Sequence, residues 1–178
     1  MSAIISKQKP RFSINPPSAG SGLQTMDTLE STIVKHPFLF EFNPHYYHFL
    51  NECALLRRFD PDQEIFHEHG NADSFYLIQS GRVALETFVP GRGMEMVHTL
   101  QPGEALGWSW LFPPYQWHFT AKAIEPAELI VFDAAHLREK TEENRDFCNE
   151  LLTRITRVVL RRLQATRQRL IEFYGVIE

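Results

Sequence analysis

The strongest constraint on the fold is a two-residue alternation in the middle of the chain. Val83, Leu85 and Val89 fall on one side of an extended backbone, and residues 94–100 repeat the pattern. The spacer Pro90-Gly91-Arg92-Gly93 is rich in turn-forming residues. The two runs therefore predict an antiparallel hairpin.

Further short strands are predicted on both sides of this hairpin. Gly70, Gly81 and Gly103 lie between them and mark turns. Roughly eight short strands at such spacing are typical of an antiparallel barrel or a double-sheet jelly roll, and not of βαβ units. The clearest additional runs are residues 55–59, 74–79, 117–124 and 128–132.

Helices are predicted on both sides of the strands. Asp27 with Glu30 forms a capping-box pattern for a short helix that Pro37 ends. A second helix is predicted from Asn43, with Pro44 at its first position, where proline is tolerated.

After the strands, Asp133 is a suitable N-cap for a short helix to Lys140, and apolar spacing predicts a long final helix over 144–174. The predicted fold class is α+β and mainly β, a double-stranded β-helix or jelly roll with N-terminal helices and a long C-terminal helix. The predicted division is a disordered tail at 1–26 and one domain at 27–178, with a β-roll at about 54–133 and C-terminal helices at 134–174.

The composition supports one folded domain and excludes several classes of protein. Of 178 residues, 43% are hydrophobic and 22% are charged, which is too apolar for a disordered chain. The net charge of -4 argues against a generally basic nucleic-acid binder. Cys53 and Cys148 cannot form a disulfide framework, so a cytoplasmic location is expected. No secretory signal and no membrane span are expected, since the longest uncharged stretch, 105–121, is shorter than the ~20 residues that cross a bilayer.

Three segments together resemble the cyclic-nucleotide-binding domain family, which includes catabolite-activator-type regulators and the sensory domains of kinases and channels. The segments are residues 59–70, residues 73–83 and the run Leu100-Gln-Pro-Gly-Glu-Ala-Leu-Gly107, within a resemblance that covers roughly residues 30–173. It implies a β-roll closed over a small cavity that takes a cyclic nucleotide, and a long helix that repacks over the ligand.

The resemblance also implies a phosphate-binding cassette after Gly107, from which this chain departs. The family supplies a Glu for the ribose hydroxyl, an Arg for the cyclic phosphate and then a small residue. Trp108, His118 and Phe119 occupy those positions here. Because losing a buried charge partner costs about 2–5 kcal/mol, ordinary cyclic AMP binding is not expected. No guanidinium is expected inside the cavity.

Aromatic residues replace the cassette: six of the twelve residues from 108 to 119 are aromatic, including all three tryptophans. The rings either fill the cavity as core, or line a pocket for a flat ligand with Gln116 and His118 as polar groups, or belong to a variant pocket for a cyclic nucleotide. No cofactor is certain. The candidate ligand-binding residues are Gly107, Trp108, Ser109, Trp110, Gln116, Trp117, His118, Phe119 and Thr120.

A metal site is a further alternative. His67 and His69 would point the same way on a strand, and with Asp73 and His118 they faintly resemble the metal motifs of cupins. Such a site would make the protein a cupin-like enzyme. Catalysis is otherwise not expected, because the chain has no Gly-rich phosphate loop, no nucleophile elbow and no Cys-His pair at a persuasive spacing.

The final helix carries an apolar stripe that resembles the dimer helix of the activator family. The stripe predicts a homodimer, in which Arg162 near the seam needs a carboxylate or solvent. Regulators of the family continue after this helix into a helix-turn-helix domain, whereas this sequence ends at Glu178, so sequence-specific DNA binding is not expected. The stripe consists of Leu151, Ile155, Val159 and Leu163.

The sequence therefore predicts a non-catalytic sensory module that couples pocket occupancy or a partner contact to the angle of its final helix. The alternatives are cyclic-nucleotide binding by a variant pocket, a ligand-free interaction scaffold plugged by aromatic rings, and the cupin-like enzyme.

Overall fold

The computed structural model describes residues 28–175, which form eight strands and four α-helices. Short 3-10 turns lie at Pro37–Leu39, Pro44–Tyr46 and Trp108–Leu111. The helices are α1 (Leu29–Lys35), α2 (Tyr47–Glu52), α3 (Ala134–Glu143) and α4 (Arg145–Gly175). The strands are β1 (Ala54–Phe59), β2 (Glu64–Phe66), β3 (Ser74–Ser80), β4 (Val83–Val89), β5 (Gly93–Leu100), β6 (Ala105–Leu106), β7 (Thr120–Ala123) and β8 (Ala127–Asp133).

The strands form two four-stranded antiparallel sheets, ordered β1-β8-β3-β6 and β2-β7-β4-β5. This confirms the predicted mainly β jelly roll with a long C-terminal helix. The predicted hairpin is β4–β5, in which Val83 pairs with Leu100 and Val89 pairs with Gly93. The apolar faces of the two sheets meet in a core that includes the fully buried Leu77, Leu106 and Ile130.

The structure differs from the sequence-based expectations at the short elements. Residues 117–124 were expected to form one strand, but β7 begins only at Thr120. The preceding Trp117 instead exchanges backbone hydrogen bonds with the 69–70 turn, at 2.9 Å to Gly70 O and 2.9 Å from His69 N. The strands β2 and β6 are three and two residues long, too short to show an alternation.

Two of the predicted helix starts are shifted. The segment predicted to begin a helix at Asn43 forms a 3-10 turn at Pro44–Tyr46, and α2 begins only at Tyr47. Thr28 caps α1, with its Oγ1 accepting from Ser31 N at 3.3 Å, whereas the predicted cap, Asp27, lies outside the described residues. Asp133 caps α3 as predicted, and its Oδ1 accepts from His136 N at 3.0 Å. Asp133 thus ends β8 and begins the C-terminal helical part of the chain.

The base of α4 is fixed to the N-terminal helices by an aromatic cluster. The Phe147 ring makes edge contacts with Phe42, Tyr46 and Phe49 at centroid distances of 5.8, 5.1 and 5.5 Å. Glu150 Oε1 accepts from the Asn43 backbone N–H at 2.9 Å. The first turns of α4 are therefore fixed against the N-terminal part of the domain.

Beyond this base, α4 divides into a buried and an exposed half. Leu151 and Ile155 are only 2% and 4% exposed and pack into their own domain, so half of the predicted dimer stripe is core. Val159 and Leu163 are 40% and 63% exposed. Among residues 28–175, no helix has both the length and the apolar character needed to cross a bilayer.

A cavity between the roll and the final helix

A cavity of about 510 Å³ lies where the roll meets the distal half of α4. Its wall is mostly apolar and comes from β2, β4, β5, β6, the segments around 107–109 and 117–119, and α4. The cavity contradicts the hypothesis that aromatic rings plug the roll completely. The lining residues are Phe66, Leu85, Val97, His98, Leu106, Gly107, Trp108, Ser109, Trp117, His118, Phe119, Val159, Arg162, Leu163 and Thr166.

Stacked rings form one side of the cavity, and a glycine makes room for them. The Trp117 and Phe66 rings stack at a centroid distance of 4.1 Å with an interplanar angle of 19°. Gly107 has a φ of +83°, and a Cβ there would lie 3.1 Å from both Trp117 Cζ3 and Tyr76 Cδ2. Gly107 therefore provides both the left-handed turn and the space that the tryptophan occupies.

The structure separates the nine candidate ligand-binding residues into two groups. Three of them do not line the cavity. Trp110 is fully buried and contacts the Phe75 ring at 6.4 Å, so it belongs to the core. Gln116 is exposed and its backbone pairs with Asn71, while Thr120 Oγ1 accepts from a backbone N–H at 3.0 Å. The six that line the cavity are Gly107, Trp108, Ser109, Trp117, His118 and Phe119.

Two polar side chains of the cassette region face each other at the rim. His118 Nδ1 lies 3.1 Å from Ser109 Oγ, a hydrogen bond that holds the imidazole beside the cavity. Ser109 is only 9% exposed, whereas His118 is exposed. The imidazole of His118 thus borders the opening of the cavity.

The expectation that the cavity contains no guanidinium is wrong. Arg162 enters it from α4, where its Nη2 donates to Ala105 O and its Cζ lies 4.5 Å from the Trp108 ring centroid. Its Nε is buried without a hydrogen-bond partner. Burial lowers the pKa of Arg162 to about 10, against an opposing effect of Glu104, so the group stays charged at pH 7.

The sequence did not predict Arg162 as a cavity residue, because the candidate residues were taken from the segment after Gly107 and Arg162 lies in α4. The available signal was its position beside the apolar stripe, where a charge needs a partner. His98 of β5 was also missed, since the strand pattern alone does not show which face covers a cavity. Burial, followed by the positive charge of Arg162, lowers the pKa of His98, which favours a neutral imidazole in the cavity wall.

The four residues of the metal alternative do not form a site. Among residues 28–175, no group of three or more His, Cys, Asp or Glu side chains is placed to hold a metal ion. His67 and His69 do not share one face of a strand as predicted, because β2 ends at Phe66 and both lie in the turn that follows. His69 has a φ of +68°, and His67 Nδ1 is 3.5 Å from a carboxylate oxygen of Glu64.

Comparison with known proteins assigns the chain to the same class as its jelly-roll fold, the cyclic nucleotide-binding domains. The family model of the cyclic nucleotide-binding domain matches residues 56–144, which is half of the chain. The chain therefore belongs to the cyclic nucleotide-binding domain family, whose fold is typical of regulatory and sensory modules. No curated protein matches the sequence.

Solved structures with this fold include proteins from several bacteria. A Geobacter metallireducens protein named for cyclic nucleotide binding is 27% identical, with a TM-score of 0.64 over 71% of this chain and 91% of its own. A cyclic nucleotide-binding domain from Methylobacillus flagellatus is 17% identical, with a TM-score of 0.71 over 82% of this chain and 84% of its own. The Thermus thermophilus catabolite activator protein is 20% identical, with a TM-score of 0.61 over 78% of this chain and 63% of its own.

Proposed function

We propose that this protein is a non-catalytic sensory module that binds a small planar molecule in the cavity and transmits occupancy through α4. One observation carries the proposal: Val159, Arg162, Leu163 and Thr166 of α4 form part of the cavity wall. A bound molecule therefore contacts the roll and the helix together. A ligand shifts the helix position only through such differential contacts.

The attachments of α4 support this role. Its base is held by the Phe147 cluster, whereas its distal half is held to the roll by hydrogen bonds from two arginines. Arg162 donates to Ala105 O, and Arg169 Nη1 donates to Val97 O at 3.1 Å. Such bonds contribute about 1 kcal/mol each, so a ligand that competes with them or adds to them has enough free energy to move this half.

The cavity favours a ligand other than an ordinary cyclic nucleotide. Trp108 stands where the family supplies the ribose-binding Glu, and His118 stands where it supplies the phosphate-binding Arg. A second candidate function is cyclic-nucleotide binding by this variant pocket, which the guanidinium of Arg162 favours. The experiment below includes cyclic AMP and cyclic GMP for that reason.

We also propose that the module forms a homodimer through the exposed half of α4. Leu160, Leu163, Leu170 and Ile171 are each more than half exposed, and pairing would cover them. Leu163 also borders the cavity, so ligand binding and dimer pairing would both act on this residue. Both cysteines are free, which fits a cytoplasmic protein.

The proposal predicts which substitution abolishes ligand response. We expect a thermal-shift screen of metabolites, including cyclic AMP and cyclic GMP, to find ligands that raise the Tm of the wild type. Leu163→Trp places a large ring at the cavity mouth and should remove these shifts. Gln164→Trp adds the same ring to the next, exposed residue outside the cavity and should keep them.

Two outcomes would contradict the proposal. The first is complete silence of the wild type across the screen, which would favour a scaffold that acts through partner contacts alone. The second is a set of shifts that Leu163→Trp leaves unchanged, since the ligand would then bind outside the cavity.

A further inference from the structure

Arg162 is a partly buried cation with a buried Nε, and the carboxylate of Glu104 acts on it only from a distance. No carboxylate of residues 28–175 lies within ion-pair distance of its guanidinium. Its contacts are neutral: the carbonyl oxygen of Ala105 and the face of the Trp108 ring. Buried charges in proteins are normally paired, because removing an ion from water is costly. An anion in the cavity would therefore give this guanidinium the direct partner that the described residues do not provide.

The guanidinium has donor capacity left for that anion. Arginine has five N–H donors, and only the Nη2 group has a hydrogen-bond partner here, while the Nε–H is buried without one. The planar edge of a guanidinium matches the two oxygens of a carboxylate, and such pairs are stronger than neutral hydrogen bonds. A carboxylate therefore fits this donor set, and its single charge costs less to bury against a mostly apolar wall than a doubly charged phosphate monoester.

The rest of the cavity wall favours a ligand whose uncharged part is a flat aromatic ring system. Trp108, Trp117, Phe66 and Phe119 surround the cavity with rings, and stacked rings favour a flat partner. Its few polar side chains are those of His98, Ser109, His118 and Thr166. A sugar would leave hydroxyl groups against rings, whereas a flat hydrocarbon would not.

We propose that the ligand class of this cavity is the aromatic carboxylates, with the carboxylate paired to Arg162 and the ring system stacked among the aromatic side chains. This inference rests on the proposed sensory function and adds the chemistry of its ligand. Because Arg162 belongs to α4, the charged group of the ligand is held by the element that moves. Recognition and signalling then use the same side chain.

The test compares two probes of nearly equal shape, 2-naphthoate and its neutral amide, 2-naphthamide, by isothermal titration calorimetry. We expect the wild type to bind the carboxylate at least about tenfold more tightly, a difference of ~1.4 kcal/mol. Arg162→Gln should remove this preference by weakening the carboxylate alone. Arg162→Lys should keep part of it, and Arg161→Gln, which changes an exposed arginine outside the cavity, should keep all of it.

A second measurement needs no variant, in case Arg162→Gln does not fold. In the wild type, the ¹⁵Nε–H resonance of Arg162 should move further on saturation with 2-naphthoate, which accepts its hydrogen bond as an anion, than on saturation with 2-naphthamide. Equal affinities for the two probes, a preference that survives in folded Arg162→Gln, or an Nε resonance that moves no further with 2-naphthoate than with 2-naphthamide would overturn the ligand class.

The results also separate this inference from the proposed function. Binding of other molecules that is lost in Leu163→Trp, together with no preference for 2-naphthoate, would leave a sensory cavity with a different ligand. Absence of any ligand in the thermal-shift screen would instead reject the sensory function itself.

Discussion

At the residue scale, single side chains decide what the cavity accepts. The aromatic run at 108–119 indicated a changed cassette, and six of the nine candidate residues do line the cavity. Trp110 shows why the pattern was insufficient: it is as aromatic as Trp108, yet it is fully buried in the core. Which ring faces a cavity depends on backbone geometry such as the left-handed Gly107, and the contact of Arg162 depends on how α4 docks.

A buried histidine makes the stability of the domain depend on pH. His36 Nε2 donates to Ile78 O at 3.0 Å, and its Nδ1 accepts from Phe38 N at 3.2 Å, so the ring is neutral when folded. Burial lowers the pKa of His36 against the opposing effect of the Ile78 bond. Below about pH 6.5 the unfolded chain therefore binds a proton at His36 more readily than the folded domain does. The contribution of His36 to the free energy of unfolding is fully present above that pH and is lost as the pH falls toward the lower pKa of the folded state.

His36→Gln removes this titration. At pH 7.5 we expect the free energy of unfolding of the variant to be about 1–3 kcal/mol lower than that of the wild type, because a buried hydrogen bond is lost. Between pH 7.5 and 5.5, however, its free energy of unfolding in urea should fall less than that of the wild type. Equal losses in the two proteins over this range would show that His36 does not contribute.

At the scale of elements, the sequence determined the hairpin and the helix starts more clearly than the short strands. The hairpin strands β4 and β5 and the capping residue Asp133 follow from local signals and were found as predicted. The alternation itself holds only in part, since Leu100 is buried whereas Met94 and Met96 are exposed, and the pairing shifts register between Leu85 and Glu86. The short strands β2 and β6 form because neighbouring strands offer them partners, which no local pattern reveals. The stripe of α4 similarly divides because Leu151 is covered by its own domain.

The exposed half of α4 leads to a prediction about association. Leu170→Glu with Ile171→Glu puts two charges on the face that we propose to pair, so this variant should be a monomer in light scattering when the wild type is a dimer. Gln164→Glu adds a charge to the same helix and should remain dimeric. A monomeric wild type at micromolar concentrations would contradict the proposed pairing.

At the scale of the whole molecule, the roll and the helix share one cavity. The aromatic cluster at Phe147 holds the base of α4, and the arginine contacts at Ala105 and Val97 reach opposite sheets of the roll. The family resemblance predicted this architecture correctly, because it depends on glycine positions and strand order. The chemistry of the cavity could not be predicted from the family resemblance, because Arg162 reaches the cavity from α4 and not from the segment after Gly107.

Transmission through α4 is tested most directly by amide hydrogen exchange of the wild type with and without saturating 2-naphthoate. We expect slower exchange in residues 159–169, where α4 borders the ligand, and little change in α1. Unchanged exchange in residues 159–169, at a probe concentration shown by calorimetry to fill the cavity, would contradict the claim that occupancy is transmitted through α4.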